Sequence, residues 1–308
     1  MNKELESDCD SLRKALKTKG DVLVGFILSK TNKERQEIRE GYKACFGTDL
    51  LADIDKSLHH NFKRAVRALF QRPAEFDAES LYYGMKGLGT DEDVLIEIIC
   101  TRGNQRLEEI KEEFLKISPN CSLEQWVESE TSGAFRKLLI SLLQCKRSED
   151  SMPDENKCEQ LAIELYKAGE DKLGTNEDVF NKIFSISSPP ELFSINEHYS
   201  KISKFTLRKA IEKEYSGNAK QALLTVLDGV LNIAEYYAKR INKSVKGLGT
   251  SDRKLIRALV SREELDIHEI CECYKNLFQK NMEDDIKGDT SGDYRRVLLA
   301  IVNGTYKS

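Results

Sequence analysis

Apolar residues along the chain recur at helical spacing, in short blocks separated by polar turns. The clearest block is DEDVLIEIICTR, residues 91–102, which places four apolar residues on one helical face: Val94, Leu95, Ile98 and Ile99. The same spacing predicts four more helices nearby, over 76–86, 106–117, 122–129 and 133–146. Residues 73–147 are therefore predicted to form a bundle of five short helices.

A ten-residue phrase next to this block returns later in the chain. GMKGLGTDED, residues 84–93, reappears as EDKLGTNEDV over 170–179 and as VKGLGTSDRK over 245–254. The segments that close each unit are also related: ETSGAFRKLLISLL (130–143), EYSGNAKQALLTVL (214–227) and DTSGDYRRVLLAIV (289–302). Recurrence at this period indicates a repeat architecture.

A weaker copy lies at the start of the chain. DVLVGFILSK from Asp21 aligns with DVLIEIICTR from Asp93, which puts Thr18 in register with Thr90. We therefore predict four repeats, over residues 5–72, 73–147, 155–230 and 231–306. The polar segment KRSEDSMPDENK, residues 146–157, is predicted to be a linker between the second and third repeats.

The composition favours an all-α fold. Charged residues make up 32% of the 308 residues and hydrophobic residues 40%, with only five prolines. Pro73, Pro119 and Pro153 fall in predicted loops, and Pro189 with Pro190 forms a predicted break. One five-helix repeat of this size cannot bury all of its apolar faces alone, so the repeats are expected to pack on each other.

Charge and residue usage exclude several classes of function. The net charge of −4 gives no global basic face for nucleic acid, and no apolar stretch is long enough for a membrane span. The polar, acidic start of the chain is not a signal peptide. Eight scattered cysteines without a CxxC pair indicate free thiols in a cytosolic protein. The four histidines fall in no catalytic motif, so we predict that the protein is not an enzyme.

The glycine-rich phrase has two interpretations. In the first, it is ordinary helix-start chemistry. Thr90 would cap the next helix with Asp93 completing a capping box, and Thr175 would do the same with Asp178. Glycines before a cap are common in turns, so this interpretation requires no ligand.

In the second interpretation, the phrase is half of an ion site. An acid followed by Thr or Tyr, then Ser-Gly, lies 39 or 40 residues after each threonine: Glu130, Glu214 and Asp289. The first repeat has LKTKGD (16–21) in place of the glycine loop and Ser57 in place of the acid, so both features are lost together. Carbonyl oxygens of a glycine loop with one carboxylate suit Ca²⁺ better than Mg²⁺ or Zn²⁺.

These motifs together resemble the annexin family. KGLGTDEDVLIEIICTR (86–102) is similar to the family signature, AGEDKLGTNED (168–178) to its third-repeat loop and KGDTSGDYRRVLL (287–299) to the end of its fourth repeat. The resemblance covers essentially the whole chain. It implies four homologous five-helix repeats packed as a curved disc, with calcium-dependent, reversible binding to anionic phospholipid such as phosphatidylserine.

The resemblance also implies the ligands of each Ca²⁺ ion. In the second repeat they are the carbonyls of Met85, Gly87 and Gly89 with the carboxylate of Glu130. In the third repeat they are Gly169, Lys172 and Gly174 with Glu214, and in the fourth Val245, Gly247 and Gly249 with Asp289. The first repeat departs from the pattern, so we expect no strong Ca²⁺ site there.

Other residues acquire implied roles in the same way. Membrane contact is implied for the lysines beside the loops and the leucines at their tips: Lys86, Lys246, Leu88, Leu173 and Leu248. A hydrophilic central passage, linked to ion conductance in the family, is implied for Asp77, Glu97, Arg102, Arg257 and Arg262. The alternative for this second set is a structural salt-bridge network between the halves of the molecule.

A different class of function stays open. A helical-repeat scaffold that binds cytoskeleton or other proteins would explain the helices, with or without weak cation conductance, but not the linked loops and acids. The alpha-giardin branch of annexin-like proteins, which attaches to cytoskeleton and membrane in a parasite, fits a degraded first loop, and we expect an invertebrate or protist source. We expect a cytoplasmic protein that becomes peripheral on membranes when calcium rises and self-associates or meets cytoskeleton there.

Overall fold

The computed structural model describes residues 3–171, 174–246 and 249–304. Within these three ranges the regular secondary structure consists of twenty α-helices, without a strand. The all-α prediction is confirmed, as expected for a chain with so few prolines. None of the described helices combines the length and the apolar composition needed to cross a bilayer.

The helices form four successive groups of five. The first group is α1 (Lys3–Thr18), α2 (Gly20–Leu28), α3 (Asn32–Phe46), α4 (Leu50–Ser57) and α5 (His60–Leu69). The second is α6 (Pro73–Met85), α7 (Glu92–Thr101), α8 (Asn104–Ile117), α9 (Leu123–Glu130) and α10 (Gly133–Leu143). All five helices predicted from periodicity in residues 73–147 are present, and each end lies within three residues of the prediction.

The last two groups follow the same plan. The third group is α11 (Glu155–Ala168), α12 (Glu177–Ile186), α13 (Pro189–Ile202), α14 (Leu207–Glu214) and α15 (Gly217–Leu231). The fourth is α16 (Ile233–Val245), α17 (Asp252–Arg262), α18 (Ile267–Phe278), α19 (Met282–Asp289) and α20 (Gly292–Asn303). The fourfold five-helix arrangement is therefore confirmed.

Two prolines that we placed outside helices start helices instead. Pro73 is the first residue of α6, and Pro189 opens α13 behind a capping box formed by Ser188 and Glu191. In that box the Glu191 carboxylate accepts a hydrogen bond from the Ser188 N–H at 2.8 Å. The first turn of a helix tolerates proline because its N–H groups have no partner within the helix.

Residues 74–233 form one compact unit that contains the second and third groups of helices. α7 packs against α15 and α10 packs against α12, so each group lies on the other. One hydrophobic core runs through both, and fully buried aromatic side chains come from each: Phe114, Phe180, Phe184 and Tyr199. A single five-helix group could not bury these faces, which is the reason for the pairing.

The segment between α10 and α11, residues 144–154, is not helical, as predicted for a linker. It is nevertheless fixed to the end of α12. The Arg147 guanidinium donates to the Phe184 carbonyl at 3.0 Å, and the Ser148 N–H donates to the Ile186 carbonyl at 2.7 Å. Burial lowers the pKa of Arg147. The segment therefore belongs to the packed unit.

Residues 1–73 and 234–308 form the other compact unit, so the first group of helices pairs with the fourth. α2 packs on α20, and α17 packs on α5. Arg35 of α3 is almost fully buried, and its guanidinium lies 2.6 Å from the Glu263 carboxylate that follows α17. A buried pair of this kind holds two parts of the chain that are more than two hundred residues apart in sequence.

Candidate metal centres

In three of the four repeats a threonine hydroxyl donates a hydrogen bond to the acid that lies 39 or 40 residues downstream. The three pairs are Thr90–Glu130 at 2.8 Å, Thr175–Glu214, and Thr250–Asp289 at 2.6 Å. The pairing joins the glycine loop to the end of the fourth helix of each repeat. Two segments that we linked only by their joint presence in the sequence are therefore adjacent in space.

The helix-capping interpretation of Thr90 and Thr175 is wrong. The N-cap of α7 is Asp91 and that of α12 is Asn176, and neither side chain accepts a capping hydrogen bond. Each threonine lies one residue before the cap and directs its hydroxyl to the acid instead. The hydroxyl therefore donates to a charged acceptor, which forms a stronger hydrogen bond than a neutral one.

A backbone hydrogen bond closes each loop at its base. The Asp91 N–H donates to the Gly84 carbonyl at 2.7 Å, and the Asn176 N–H donates to the Ala168 carbonyl at 2.7 Å. In the fourth repeat the Ser251 N–H donates to the Ser244 carbonyl at 2.9 Å. The third loop contains one residue more than the other two between these closing groups. The three loops are therefore closed at the base in the same way.

Glycine is required in the loops by backbone conformation rather than by lack of space. Gly89 has a φ of 86°, and the equivalent Gly174 and Gly249 have φ of 83° and 93°. A Cβ atom at any of these three positions would meet no atom within 4 Å. Other residues rarely adopt this left-handed region, so the repeated glycine preserves the path of the chain between Met85 and the threonine.

The acid of each site ends a helix. Glu130 is the last residue of α9, Glu214 of α14 and Asp289 of α19. In each case a glycine with φ between 55° and 60° opens the next helix three residues later. The helix end and the glycine set the direction of the short turn that carries the acid.

Two arginines that sequence reasoning missed hold this turn in the second and fourth repeats. Arg136 Nε donates to the Thr131 carbonyl at 2.6 Å, and Arg295 Nε donates to the Thr290 carbonyl at 2.6 Å. The third repeat has Lys220 in the same place. The signal in the sequence was a basic residue three positions after the glycine in ETSGAFRK, EYSGNAK and DTSGDYRR.

The predicted ligand set lies together in the second repeat. Met85 ends α6 with its side chain buried, Gly87 and Gly89 lie in the loop, and Glu130 faces the loop through Thr90. In the third repeat Gly169 ends α11, while Lys172 lies outside the described residues. In the fourth, Val245 ends α16 and Gly249 lies in the loop, while Gly247 lies outside the described residues.

The donor chemistry of these sites fits Ca²⁺. In the described ranges no three side chains of His, Cys, Asp or Glu converge on a common metal position. Each loop instead combines backbone carbonyls with one carboxylate, and these hard oxygen donors suit Ca²⁺, whereas Zn²⁺ is bound by His or Cys in most sites. One carboxylate per site leaves coordination positions for other oxygen ligands.

An acidic pocket lies between the second-repeat and third-repeat acids. It has a volume of about 390 Å³, and four glutamates line it: Glu92, Glu130, Glu177 and Glu214. The neighbouring Tyr215 is affected by the same negative charges. Burial first, and then the charges of Glu177 and Glu214, raise the pKa of its hydroxyl. Such a concentration of negative charge attracts cations to this face of the unit.

The predicted membrane-contact residues are exposed where the structure describes them. Leu88 at the tip of the second loop is fully exposed. Lys86 Nζ lies 5.0 Å from the centre of the Tyr82 ring, and Lys246 Nζ lies 5.0 Å from the Phe278 ring. The other two tip residues, Leu173 and Leu248, lie outside the described residues.

The first repeat lacks the loop altogether. α1 continues through Thr18, whose hydroxyl donates to the Lys14 carbonyl at 3.1 Å, and α2 starts at Gly20. Lys19 alone separates the two helices. The helix starts agree with the alignment of Thr18 with Thr90, since α7 also starts two residues after its threonine. Thr18 itself, however, is part of a longer first helix. Ser57 ends α4 in the place of the acid.

The five residues implied for a central passage divide between the two units. In residues 74–233, Arg102 Nε lies 2.8 Å from the Asp77 carboxylate; Asp77 and Glu97 are buried, and the Arg102 side chain is 10% exposed. In the other unit Arg262 Nε lies 2.7 Å from the Asp266 carboxylate, and Arg257 is buried. Both ion pairs lie within a single unit, so neither the salt-bridge network between halves nor the passage is tested, and each stays a prediction.

The Annexin family model matches the chain four times, over residues 7–69, 76–142, 161–226 and 236–301. The chain belongs to the annexin family. Calcium-dependent binding of phospholipid is the general property of annexins. The four matches fall within the four groups of helices described above.

Individual annexins are similar to nearly the whole chain. Human annexin A11 is 39% identical over 300 residues, which cover 96% of this chain and 59% of annexin A11. Human annexin A13 is 37% identical over 303 residues, which cover 97% of this chain and 96% of annexin A13. The chain therefore spans about three fifths of the first relative and almost all of the second.

Solved annexin structures have the same fold. Annexin III superposes with a TM-score of 0.93 at 36% sequence identity. The match covers 97% of this chain and 93% of annexin III. Calcium-bound annexin (Sm)1 superposes with a TM-score of 0.88 at 30% sequence identity. The match covers 97% of this chain and 90% of annexin (Sm)1. The fold of this chain is thus one that carries calcium in a relative.

Proposed function

We propose that this annexin binds anionic phospholipid membranes reversibly through Ca²⁺ bridges at its second, third and fourth repeats. The observation that carries the proposal is the threonine–acid hydrogen bond, which recurs in these three repeats beside a glycine loop. The first repeat has neither loop nor acid, so we assign no strong site to it. Binding, rather than catalysis, is the activity.

The proposed ligands are backbone carbonyls of the loops together with the downstream acids. They are Met85, Gly87, Gly89 and Glu130 in the second repeat; Gly169, Lys172, Gly174 and Glu214 in the third; and Val245, Gly247, Gly249 and Asp289 in the fourth. When bound, the ion supplies open coordination positions to a lipid phosphate or serine carboxylate. The protein supplies the remaining oxygens and keeps the loop exposed.

The threonine prepares the acid for this role. Its hydroxyl occupies one lone pair of one carboxylate oxygen, as Thr90 does with Glu130 Oε2. The carboxylate retains its other oxygen for the ion and is held toward the loop. A site with a single carboxylate depends on such positioning, because no second carboxylate compensates if this one points away from the ion.

Charge explains why binding would require calcium. The chain has a net charge of −4, and the pocket beside Glu130 and Glu214 is acidic, so an anionic leaflet repels this face without the ion. Bound calcium reverses the sign of the interaction. Lys86 and Lys246 beside the loops would add attraction of about 1 kcal/mol each near an anionic surface.

Several weak sites on one molecule also act together. Once one loop is attached, the others bind from a high effective concentration, so binding is expected to rise steeply with calcium and to reverse on chelation. Leu88, with Leu173 and Leu248, would then enter the membrane interface. We propose a cytoplasmic location with peripheral attachment when calcium rises, phosphatidylserine-like lipids as partners, and self-association or cytoskeletal contact on the membrane.

Co-sedimentation with phosphatidylserine vesicles tests the proposal. The variant Glu130→Gln, Glu214→Gln, Asp289→Asn should lose calcium-dependent pelleting, whereas the wild type should pellet with calcium and be released by chelator. The control Glu128→Gln, Glu212→Gln, Asp284→Asn removes the same charge from exposed or half-buried positions of the same three helices and should pellet like the wild type. Folded wild type that never pellets would favour the helical scaffold function.

A further inference from the structure

One segment of the third repeat differs in charge from its counterparts. Residues 201–213, KISKFTLRKAIEK, contain five basic residues and one acidic residue, in a chain that is acidic as a whole. We call this segment the basic turn. It runs from the end of α13 into α14. The corresponding residues 116–129 contain one basic and two acidic residues, and residues 277–288 contain two basic and three acidic residues.

The basic turn also exposes apolar side chains. Ile202 is 38% exposed and Phe205 is 37% exposed, and the lysines on either side, Lys201 and Lys204, are exposed too. The residue equivalent to Phe205 in the second repeat, counted back from the helix cap, is Cys121. The basic turn therefore places two partly exposed apolar side chains beside exposed lysines, a combination that suits contact with an anionic bilayer.

The basic turn adjoins the third-repeat site. The Ser203 hydroxyl donates to the carboxylate of Glu170, which lies in the glycine loop of that repeat. Lys213 Nζ lies 3.2 Å from the centre of the Phe205 ring, and Lys213 immediately precedes the acid Glu214. The turn therefore touches both the loop and the helix end that make up the site.

The same adjacency holds in the fourth repeat, which supports the placement. Lys246 of the fourth loop lies over the ring of Phe278, which ends α18 at the corresponding turn. There, however, the next helix begins with Glu283, Asp284 and Asp285. The position beside the loop is thus common to both repeats, whereas only the segment of the third repeat has a net positive charge.

Part of the positive charge of the basic turn is already used within the protein. Arg208 pairs with Asp228, and Lys209 pairs with Glu212 at 2.9 Å. Lys204 makes no ion pair with any residue that the structure describes, and the Lys213 ammonium rests on the Phe205 ring. The charge of Lys204 and Lys213 is therefore available to a partner outside the molecule.

We propose that the basic turn is a second membrane-contact surface, which binds the anionic bilayer beside the third-repeat calcium bridge. Lysines meet lipid phosphates and carboxylates, while Phe205 and Ile202 enter the interface between headgroups and acyl chains. This inference rests on the proposed function, because the adjoining calcium loop is what brings the turn to the bilayer. An anionic bilayer fits better than an acidic protein, because the turn continues a surface proposed to face lipid.

The contact has a consequence for how the three sites differ. About 1 kcal/mol of attraction per lysine corresponds to about fivefold in binding for each, so the third repeat should attach at the lowest calcium concentration. The attraction acts between exposed charges and is screened within about a Debye length. The contribution of the turn should therefore fade as NaCl is raised, whereas the calcium bridges should persist.

Charge reversal tests the proposal. Lys204→Glu with Lys213→Glu should raise the calcium needed for half-maximal binding to phosphatidylserine vesicles by about tenfold or more at low salt. The matched control, Lys33→Glu with Lys182→Glu, makes the same change of charge at exposed lysines of α3 and α12 and should shift that calcium concentration less than about twofold. Lys213→Glu places a negative charge beside Glu214, which favours binding of Ca²⁺ itself. Weaker vesicle binding by the variant would therefore come from the lost membrane contact and not from a weaker calcium site.

A tryptophan reporter tests the geometry separately. The chain has one tryptophan, Trp126, so the emission of Phe205→Trp can be taken as the difference from the wild type. It should shift to shorter wavelength on calcium-dependent vesicle binding. Phe193→Trp, which replaces an exposed phenylalanine on α13, is the control and should not shift.

The outcomes separate this inference from the proposed function. If wild type fails to bind vesicles with calcium, the proposed function is overturned and the inference falls with it. If wild type binds and both the charge reversal and the Phe205→Trp reporter behave like their controls, the inference alone is overturned. A charge-reversed variant that binds weakly at high salt as well as low salt would also contradict an electrostatic contact.

Discussion

The hydroxyl of Thr90 and the carboxylate of Glu130 are forty residues apart in sequence and 2.8 Å apart in the structure. This hydrogen bond crosses from the start of one helix to the end of another. It connects the two parts of the second-repeat site before any ion is bound. The equivalent bonds in the third and fourth repeats give the same connection, so the threonine is a positioning residue for the acid.

Replacing Thr90 by valine keeps the shape of the side chain and removes the hydrogen bond. Because bonds to charged acceptors stabilise more than neutral ones, we expect calcium affinity at the second repeat to fall by about tenfold. The measurement is the calcium concentration for half-maximal vesicle binding in a background of Glu214→Gln and Asp289→Asn, which leaves one site. Thr18→Val, in the repeat without a loop, is the control.

The opposite result would be informative. If Thr90→Val binds calcium more tightly, the hydroxyl competes with the ion for the carboxylate rather than orienting it. Circular dichroism should show unchanged helix content in either variant. A fall in affinity that Thr18→Val reproduces would instead indicate a general loss of stability.

The helices could be predicted from sequence because their apolar residues recur at local spacings, as Val94, Leu95 and Ile98 show. The role of Thr90 could not, because a helix cap and a hydrogen bond to Glu130 require the same residue at the same place. Only the three-dimensional distance distinguishes them. The continuation of α1 through Thr18 could not be predicted for a related reason. Aligning the repeats pairs Thr18 with Thr90 but does not show that helix has replaced a loop there.

The pairing of repeats was also beyond the sequence pattern. Periodicity shows that each repeat has faces to bury, but α7 and α15 carry the same kind of apolar stripe as α2 and α20. Which of these apolar faces pack against each other depends on the path of the linker and on long-range pairs such as Arg35 with Glu263. Neither leaves a local signal.

The exposed leucine at the loop tip makes a prediction about membrane insertion. Replacing Leu88, Leu173 and Leu248 by serine should weaken vesicle binding by about tenfold or more without changing the fold, since each buried side chain contributes about 1.5 kcal/mol or more to insertion. Co-sedimentation across a calcium series measures this. The control Leu115→Ser and Leu277→Ser removes exposed leucines from α8 and α18. Unchanged binding of the loop variant would refute insertion.

The buried pair of Arg102 and Asp77 makes a prediction about stability. Arg102→Ala leaves the Asp77 carboxylate buried without its main partner, so we expect a loss of about 3 kcal/mol in the free energy of unfolding. Urea denaturation followed by circular dichroism measures it. The exposed pair Arg106–Glu109 is the control, and Arg106→Ala should cost about 0.5 kcal/mol or less.

A double variant separates the contribution of the pair to stability from any role in vesicle binding. Arg102→Met with Asp77→Leu removes both charges and should recover most of the stability lost in Arg102→Ala. If the recovered protein still binds vesicles like the wild type, the pair serves the fold. Failure of the double variant to recover stability would show that other contacts of Arg102 dominate.

Alkaline pH should destabilise the protein through its buried thiols. Burial raises the pKa of Cys100 to about 12, and burial together with the neighbouring Cys45 raises the pKa of Cys9 to about 12, whereas the ordinary value is 9.0. Between these values the unfolded chain has lost thiol protons that the folded protein retains. Unfolding then releases protons, so the free energy of unfolding falls as pH rises above about 9.

Each thiol should contribute a slope of up to about 1.4 kcal/mol per pH unit in that range. Urea denaturation at pH 8.0 and at about pH 10 measures the change. Cys100→Ala should lower stability at pH 8.0 through the lost packing but should show a shallower decline with pH than the wild type. Ile99→Ala removes packing at the neighbouring buried position without removing a titrating group, so it is the control and should keep the wild-type slope. An identical slope in Cys100→Ala and wild type would show that this thiol ionises in the folded protein as readily as in the unfolded chain.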